Sequence, residues 1–484
     1  MKKKVAIKLM IFLIIFIIII GAGLAYAYFS TDFLKTNDQL FFKYLGQAVE
    51  SEDGFINSSL KDYFKKKRTE KYEDNGNFYV DINISDLDAD MLQTINDFNI
   101  DYSGVIDNTT RKNEQEITIN YSDEVNFPFK YKYANETLGL QTDYVSSKYI
   151  GIENNNLKEF AEKIGLTNTE DIPDTIDLFS NLDNTETFNF TDEEREQIKD
   201  RYKSILEEKL KGKEFVKTEE NETINYSVDM TNQEFKDIII EFLETIKNDS
   251  ILMPKIEEAT QELLKMMSEN SDEEYTVQSI IDNCIDELNN NETEEGNISV
   301  IVSQTNQKLS GITLKNEENE IKLTKTDVEG NLTYNFEANI KDKESEDTTK
   351  YMMSASYKGL EQMASVNEIY QTGIIATVDG KEQKMVYNLN CTDSFKNDID
   401  IQDYSDDEIQ TLNEYDSEQI STLLTGITER IVEVNNMQME EIGFSEYGNP
   451  MIYAFPGAAL QLMMYNQATD VMDEEWSTGT EYVE

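Results

Sequence analysis

Histidine is absent from all 484 residues, and only two cysteines, Cys284 and Cys391, are present. Without histidine, neither a Ser-His-Asp nor a Cys-His nucleophile can be assembled. A zinc site of mixed cysteine and histidine has no ligands either. Two cysteines so far apart permit one disulfide or two separate thiols. Prolines number five and tryptophans one. No glycine-rich phosphate loop occurs, since the one GxG, Gly21-Ala22-Gly23, falls inside an apolar run. Bases are scarce as well: 43 lysines and arginines face 96 aspartates and glutamates, a net charge of −53. A field of that sign repels phosphate backbones, which excludes nucleic acid as a partner. It attracts divalent cations and basic protein surfaces instead.

What the chain does have begins with Leu9–Phe29, LMIFLIIFIIIIGAGLAYAYF, 21 residues without a charge. At about 1.5 Å of rise per residue, this run as a helix crosses a hydrocarbon core of roughly 30 Å. Lys2, Lys3, Lys4 and Lys8 precede it without an acidic residue. Lysine excess belongs on the cytoplasmic side, so the expectation is a single-pass membrane protein with its body outside. The alternative is secretion after cleavage near Ala27, because Ala25-Tyr26-Ala27 suits a signal peptidase. The expected partners are therefore the lipid bilayer through residues 9–29 and, for the acidic body, a basic protein or an apolar ligand.

The body reads as helices and strands in alternating blocks. Thr36 with Gln39, Thr191 with Glu194 and Thr231 with Glu234 have capping-box spacing, each opening a helix. A helix over Ser58–Arg68 ends in Lys65, Lys66, Lys67 and Arg68, cations that suit a helix C-terminus. Residues 78–84, 116–121 and 127–133 alternate apolar with polar, the pattern of antiparallel strands with one wet face. Asp74-Asn75-Gly76 and Asp379-Gly380 read as hairpin turns, and Pro128 belongs on an edge or at a bulge. Phe235, Ile238, Ile239, Phe242, Leu243 and Ile246 mark an amphipathic helix. Two helix stops, Lys163-Ile164-Gly165-Leu166 and Glu441-Ile442-Gly443-Phe444, echo one another and raise tandem duplication as an option.

The expected fold is α+β: an N-terminal transmembrane helix followed by two units of antiparallel β-sheet with packed helices. The expected boundaries are a basic N-terminus at 1–8, the membrane helix at 9–29 and a first unit at 30–166. A loop and linking helix at 167–212, a larger second unit at 213–470 and an acidic tail at 471–484 complete the chain.

No catalytic residue and no cofactor can be named. Ser58-Ser59-Leu60-Lys61 matches the S-x-x-K of penicillin-binding serine enzymes, but the S-D-N and K-T-G partners are missing. The metal candidate is a Ca²⁺ loop of Asp86, Asp88, Asp90 and Asp97, spaced as alternating acids with a twelfth-position carboxylate. Met91 stands where such a loop needs glycine, and the same aspartates equally suit the N-terminus of a helix over Met91–Phe98. Residues 449–465 form an uncharged run too short to span lipid. It reads as a core helix or as the wall of an apolar groove.

The segment from Ala25 to Tyr44, AYAYFSTDFLKTNDQLFFKY, directly after the isoleucine-rich run, resembles the start of an uncharacterised family. Its members are single-anchor extracytoplasmic proteins of Gram-positive bacteria. Lys148-Tyr-Ile-Gly-Ile-Glu153 is similar to a stretch of the curved-sheet envelope lipoproteins that carry lipids. That second resemblance implies a sheet with a helix-covered concave face, although no lipobox cysteine is present. Together these features predict a non-catalytic binding or scaffolding module of the cell envelope. The alternative is a carrier holding an apolar ligand or lipid in a groove between sheet and helices.

Overall fold

The computed structural model describes residues 35–441, apart from 49–54, 56, 86–88, 122–124, 166–171, 177–178, 180–189, 259, 261–275, 291–292, 294, 329, 342–346 and 379. The elements in order are α1 (Asn37–Gly46), α2 (Ser58–Thr69), β1 (Lys71–Asn83), α3 (Ala89–Asp97), β2 (Asn99–Asp107), β3 (Lys112–Asn120), β4 (Asn126–Ala134), β5 (Thr137–Gln141), β6 (Tyr149–Glu153) and α4 (Leu157–Lys163). There follow α5 (Asp192–Lys209), β7 (Phe215–Glu220), β8 (Thr223–Thr231), α6 (Asn232–Lys247) and α7 (Val277–Asn290). Next come β9 (Asn297–Thr305), β10 (Lys308–Lys315), β11 (Glu320–Val328), β12 (Asn331–Lys341), β13 (Thr348–Lys358), β14 (Ser365–Val378) and β15 (Lys381–Phe395). The last are β16 (Ile409–Thr411) and α8 (Ser417–Glu441).

The helix starts lie where their caps place them. Thr36 N–H donates to Gln39 Oε1 at 3.1 Å. At α6, Glu234 N–H donates to Thr231 Oγ1 at 3.2 Å, while Thr231 N–H donates to the Glu234 carboxylate at 2.8 Å. The same pair of bonds opens α5 at Thr191 and Glu194. Each box satisfies two of the amide groups that a helix start leaves without intrahelical partners.

The expectation of two antiparallel sheets is overturned. Sixteen strands follow a single hydrogen-bonded order, β16-β6-β5-β4-β3-β2-β1-β15-β14-β13-β12-β11-β10-β9-β8-β7. The sheet is also mixed, because β16 runs parallel to β6 with Ile409 opposite Tyr149. Apolar–polar alternation shows that a strand has a wet face but not which strand lies beside it. A parallel partner only three residues long leaves no periodic trace at all. Among the described residues, no helix is long and apolar enough to cross a membrane. The transmembrane helix expected at 9–29, the apolar run at 449–465 and the acidic tail lie outside the described residues.

The chain divides into two compact units. The first takes its described residues from 1–68, 180–363 and 368–386, and the second from 69–179, 364–367 and 387–484. In the first, α1, α5, α6 and α7 cover strands β8 to β10. Tyr44, Tyr202, Leu243, Ile246, Ile281 and Val302 are fully buried there. Helix α2 adds a polar tie to this unit. Its Tyr63 hydroxyl donates to Glu368 Oε1 at 2.6 Å, and Lys67 Nζ pairs with the same oxygen at 2.8 Å. In the second unit, Phe98, Ile119, Tyr121, Phe127 and Val434 of α8 pack on one side of β3 and β4. Phe160, Leu412, Ile420 and Leu424 make a further cluster.

Candidate functional site

In the second unit, the registers of β1 to β4 set polar side chains in rows across one sheet face. Lys71, Asp107 and Lys112 form one row; Glu73, Val105, Glu114 and Lys132 the next; Asn75, Ser103, Glu116 and Lys130 the third. Residues at alternate positions along a strand share a face, so these rows lie side by side. Beyond them, Asn77 and Asn120 each donate through Nδ2 to the Asp101 carboxylate at 2.7 Å, and Asn120 also reaches Asn99 Oδ1 at 2.8 Å.

A concavity of about 450 Å³ opens on this face. Its lining includes Glu73, Glu114, Glu116, Lys130 and Tyr149, and Glu73 is paired with Lys396 at 2.5 Å. Glu116 and Lys130 approach to 3.2 Å. Burial pushes the Tyr149 phenol up to about 12, with the Glu114, Glu408 and Glu116 charges adding to it. Tyr149 therefore stays protonated at neutral pH and can donate a hydrogen bond, but it is no proton acceptor. The arrangement suits the recognition of cationic and hydrogen-bonding groups.

A strap, residues 396–408, touches two lining residues of the concavity, Lys396 pairing with Glu73 at 2.5 Å and the Tyr404 ring centre lying 5.4 Å from that of Tyr149, and three lysines of the sheet pin it. Lys71 Nζ donates to Ile399 O at 3.0 Å and pairs with Asp107 at 2.7 Å. Lys112 Nζ donates to Ile401 O at 3.0 Å and pairs with Asp403 at 2.8 Å. Lys132, itself buried, pairs with Glu408 at 3.0 Å and lies 4.7 Å from the centre of the Tyr404 ring. Tyr404 in turn donates to Lys132 O at 2.5 Å. Gly139 leaves room for Tyr404, since a Cβ there would lie 2.4 Å from the hydroxyl. Asp107 is buried, which raises its carboxyl, but bonds from Lys71, Thr109 and Thr110 outweigh that and hold it well below the carboxylate range.

The proposed Ca²⁺ residues are only partly within the described structure. Asp86 and Asp88 lie outside it. Asp90 is in the first turn of α3 and Asp97 is its last residue, seven positions or about 10 Å of helix rise away. Asp97 accepts from Gln93 Nε2 at 2.7 Å. Among the described residues, no three potential ligands are grouped as a metal site would require. Both cysteines are buried thiols and neither is in a disulfide, which decides the open disulfide question. Burial pushes the Cys284 thiol up to about 11.

An apolar crevice between α1, α6 and the sheet, lined by Phe41, Leu45, Met230, Phe242 and Val300, holds only about 40 Å³. Ligand pockets commonly occupy some 300–1,000 Å³, so the crevice is far below the size that an apolar ligand needs.

A family model matches residues 1–320, and its description is a family of unknown function, DUF6583. The chain belongs to that family. The match contains the segment from Ala25 to Tyr44 that resembles an uncharacterised family, and it runs through most of the first unit and the polar face of β1–β4. A search of curated proteins finds no match to this member of the family.

The lysines and the strap escaped the sequence reading. Lys71, Lys112 and Lys132 resemble the many other surface lysines of alternating strands, and the strap has no periodicity of its own. The one available signal was Gly139 between the large residues Leu138 and Leu140, since glycine inside a strand often marks a close approach.

Proposed function

We propose that this protein is a non-catalytic binding module of a Gram-positive cell envelope, held at the bilayer through residues 9–29 with its body outside. In this reading, the concavity on β1–β4 receives a basic segment of a partner protein. The observation that carries it is the pair Glu114 and Glu116 beside Tyr149 on adjacent strands, with Glu73 next to them paired to Lys396. The lack of histidine and the raised Tyr149 phenol support binding over proton-transfer chemistry.

The test is calorimetric titration of the full chain in detergent with octalysine at low and moderate salt. The double variant Glu114→Gln/Glu116→Gln is expected to bind about tenfold more weakly, about 1.4 kcal/mol, and with a shallower salt dependence. Unchanged affinity in the variant would remove the concavity from the proposal. The address is checked separately, by protease added to intact cells, which should digest the body.

A further inference from the structure

We propose that the free edge of β7, with the crevice at its first residue, is a strand-addition site for an extended peptide bearing basic side chains. The proposal goes beyond the reading above and rests on the other unit. β7 is the terminal strand of the sheet order. It pairs with β8 residue for residue, from Phe215 opposite Val228 to Glu220 opposite Thr223, with no bulge. It contains no proline, and residues 216–220 are exposed. Edges of this kind are templates for another strand unless something blunts them.

One hydrogen bond fixes which backbone groups face outward. Asn37 Nδ2 donates to Phe215 O at 2.9 Å, so that carbonyl points away from β8 and towards α1. Successive residues of an antiparallel strand turn their N–H and C=O groups to alternate sides. The backbone groups of Lys217 and Glu219 therefore face the open edge. Asn37 caps the end of the row, and among the described residues no further strand pairs along it.

At Phe215 the edge runs into a crevice of about 600 Å³. Phe42, Leu210 and Phe215 give it apolar surface, while Asp38, Glu207, Lys211 and Lys213 also line it, with Lys213 held by Glu234 at 2.6 Å. Phe42 and Phe215 are aromatic neighbours, with ring centres 5.9 Å apart. An added strand could seat one apolar side chain here and run its remaining length along β7. Charge selects the occupant. Along β7 the two acids Glu219 and Glu220 outnumber Lys217, the acids and lysines of the crevice balance, and the chain carries a net charge of −53. A second copy would bring the same charge to the same edge, whereas lysine or arginine side chains complement it.

The test uses the full chain in detergent and a labelled eight-residue peptide alternating lysine and valine. Fluorescence anisotropy should show binding, and amide exchange should slow at Lys217 and Glu219. Glu219→Pro removes an outward N–H that β8 does not use. It should weaken binding at least tenfold, while exchange at 224–228 shows that β7 still pairs with β8. Phe42→Ser should weaken binding with β7 intact, and Glu114→Gln/Glu116→Gln should leave this site unchanged. The inference fails if Glu219→Pro binds undiminished, or if a peptide with glutamate in place of lysine binds equally well. It also fails if sedimentation shows a dimer that Glu219→Pro dissociates, since the occupant is then a second copy. Loss of the peptide only in the Glu114/Glu116 variant would move the site to the other unit.

Discussion

The two units stabilise their strands by different means. In the first, helices α1, α5, α6 and α7 bury an apolar face, and the core residues Leu243, Ile246 and Ile281 touch solvent hardly at all. In the second, the polar face of β1–β4 is partly covered by a strap, which lysines hold by carbonyls and carboxylates. Apolar burial is non-directional and scales with area. Lysine contacts are directional, salt-sensitive and much weaker when one partner is wet. The first mode gives stability, and the second keeps a defined surface beside an open concavity. Substitutions in each should separate the two.

The largest effect is expected at Leu243, which is 0% exposed at the centre of the helical layer. Leu243→Ala should cost about 2–5 kcal/mol in urea unfolding, because the close-packed surroundings cannot fill the space. A loss under about 1 kcal/mol would show that α6 contributes little to this unit, and the comparison would fail at its stronger end.

Next comes the polar tie inside the first unit. Glu368 is 1% exposed. Burial raises its carboxyl, but the Lys67 charge and bonds from Lys67, Tyr370 and Tyr63 outweigh this and leave it below the ordinary 4.5. Lys67→Met leaves that carboxylate buried without its cation and should cost about 3 kcal/mol. The sign with pH follows. A carboxyl lower in the folded than in the unfolded state stabilises fully above about 4.5, and loses that contribution as pH falls through the folded value. Unfolding free energy should thus fall from about pH 5 downward, less steeply in Glu368→Gln. Parallel pH profiles for the two proteins would assign the acid sensitivity elsewhere.

Much of this local structure could be read from the residues. Thr36, Thr191 and Thr231 opened helices as their spacing required, and Gly380, between β14 and β15, has φ +73°, while Asp379 lies outside the described residues. Pro128 also fits its rule. It pairs with Thr118 on one side, while its carbonyl accepts from Thr142 Oγ1 beyond the end of β5, a local edge. Asp74-Asn75-Gly76 misled, because β1 runs straight through it. Gly76 is there for the Tyr102 ring, which a Cβ would meet at 2.4 Å. Turn propensity reports what a backbone can do, and a side chain from another strand decided what it did. The same reason hid the candidate site. Lys71, Lys112, Lys132 and the strap are brought together by strand register across nearly 340 positions of sequence, and no local pattern encodes that meeting.

The smallest effect is expected at the strap itself, where it is also the most diagnostic. Lys132 is buried but Glu408 is 36% exposed, so a carboxylate left alone there regains water. Lys132→Met keeps the aliphatic stem against Tyr404 and should cost only about 1 kcal/mol of global stability. Its local consequence should be larger: amides at 399–404 should exchange markedly faster than in the parent, with those of β3 unchanged. High salt should produce a weaker version of the same change in the parent, because partly exposed pairs are screened. If Lys132→Met destabilised the chain as much as Leu243→Ala, the strap would be part of the core. The distinction between a unit held by apolar burial and a face held by lysines would then disappear.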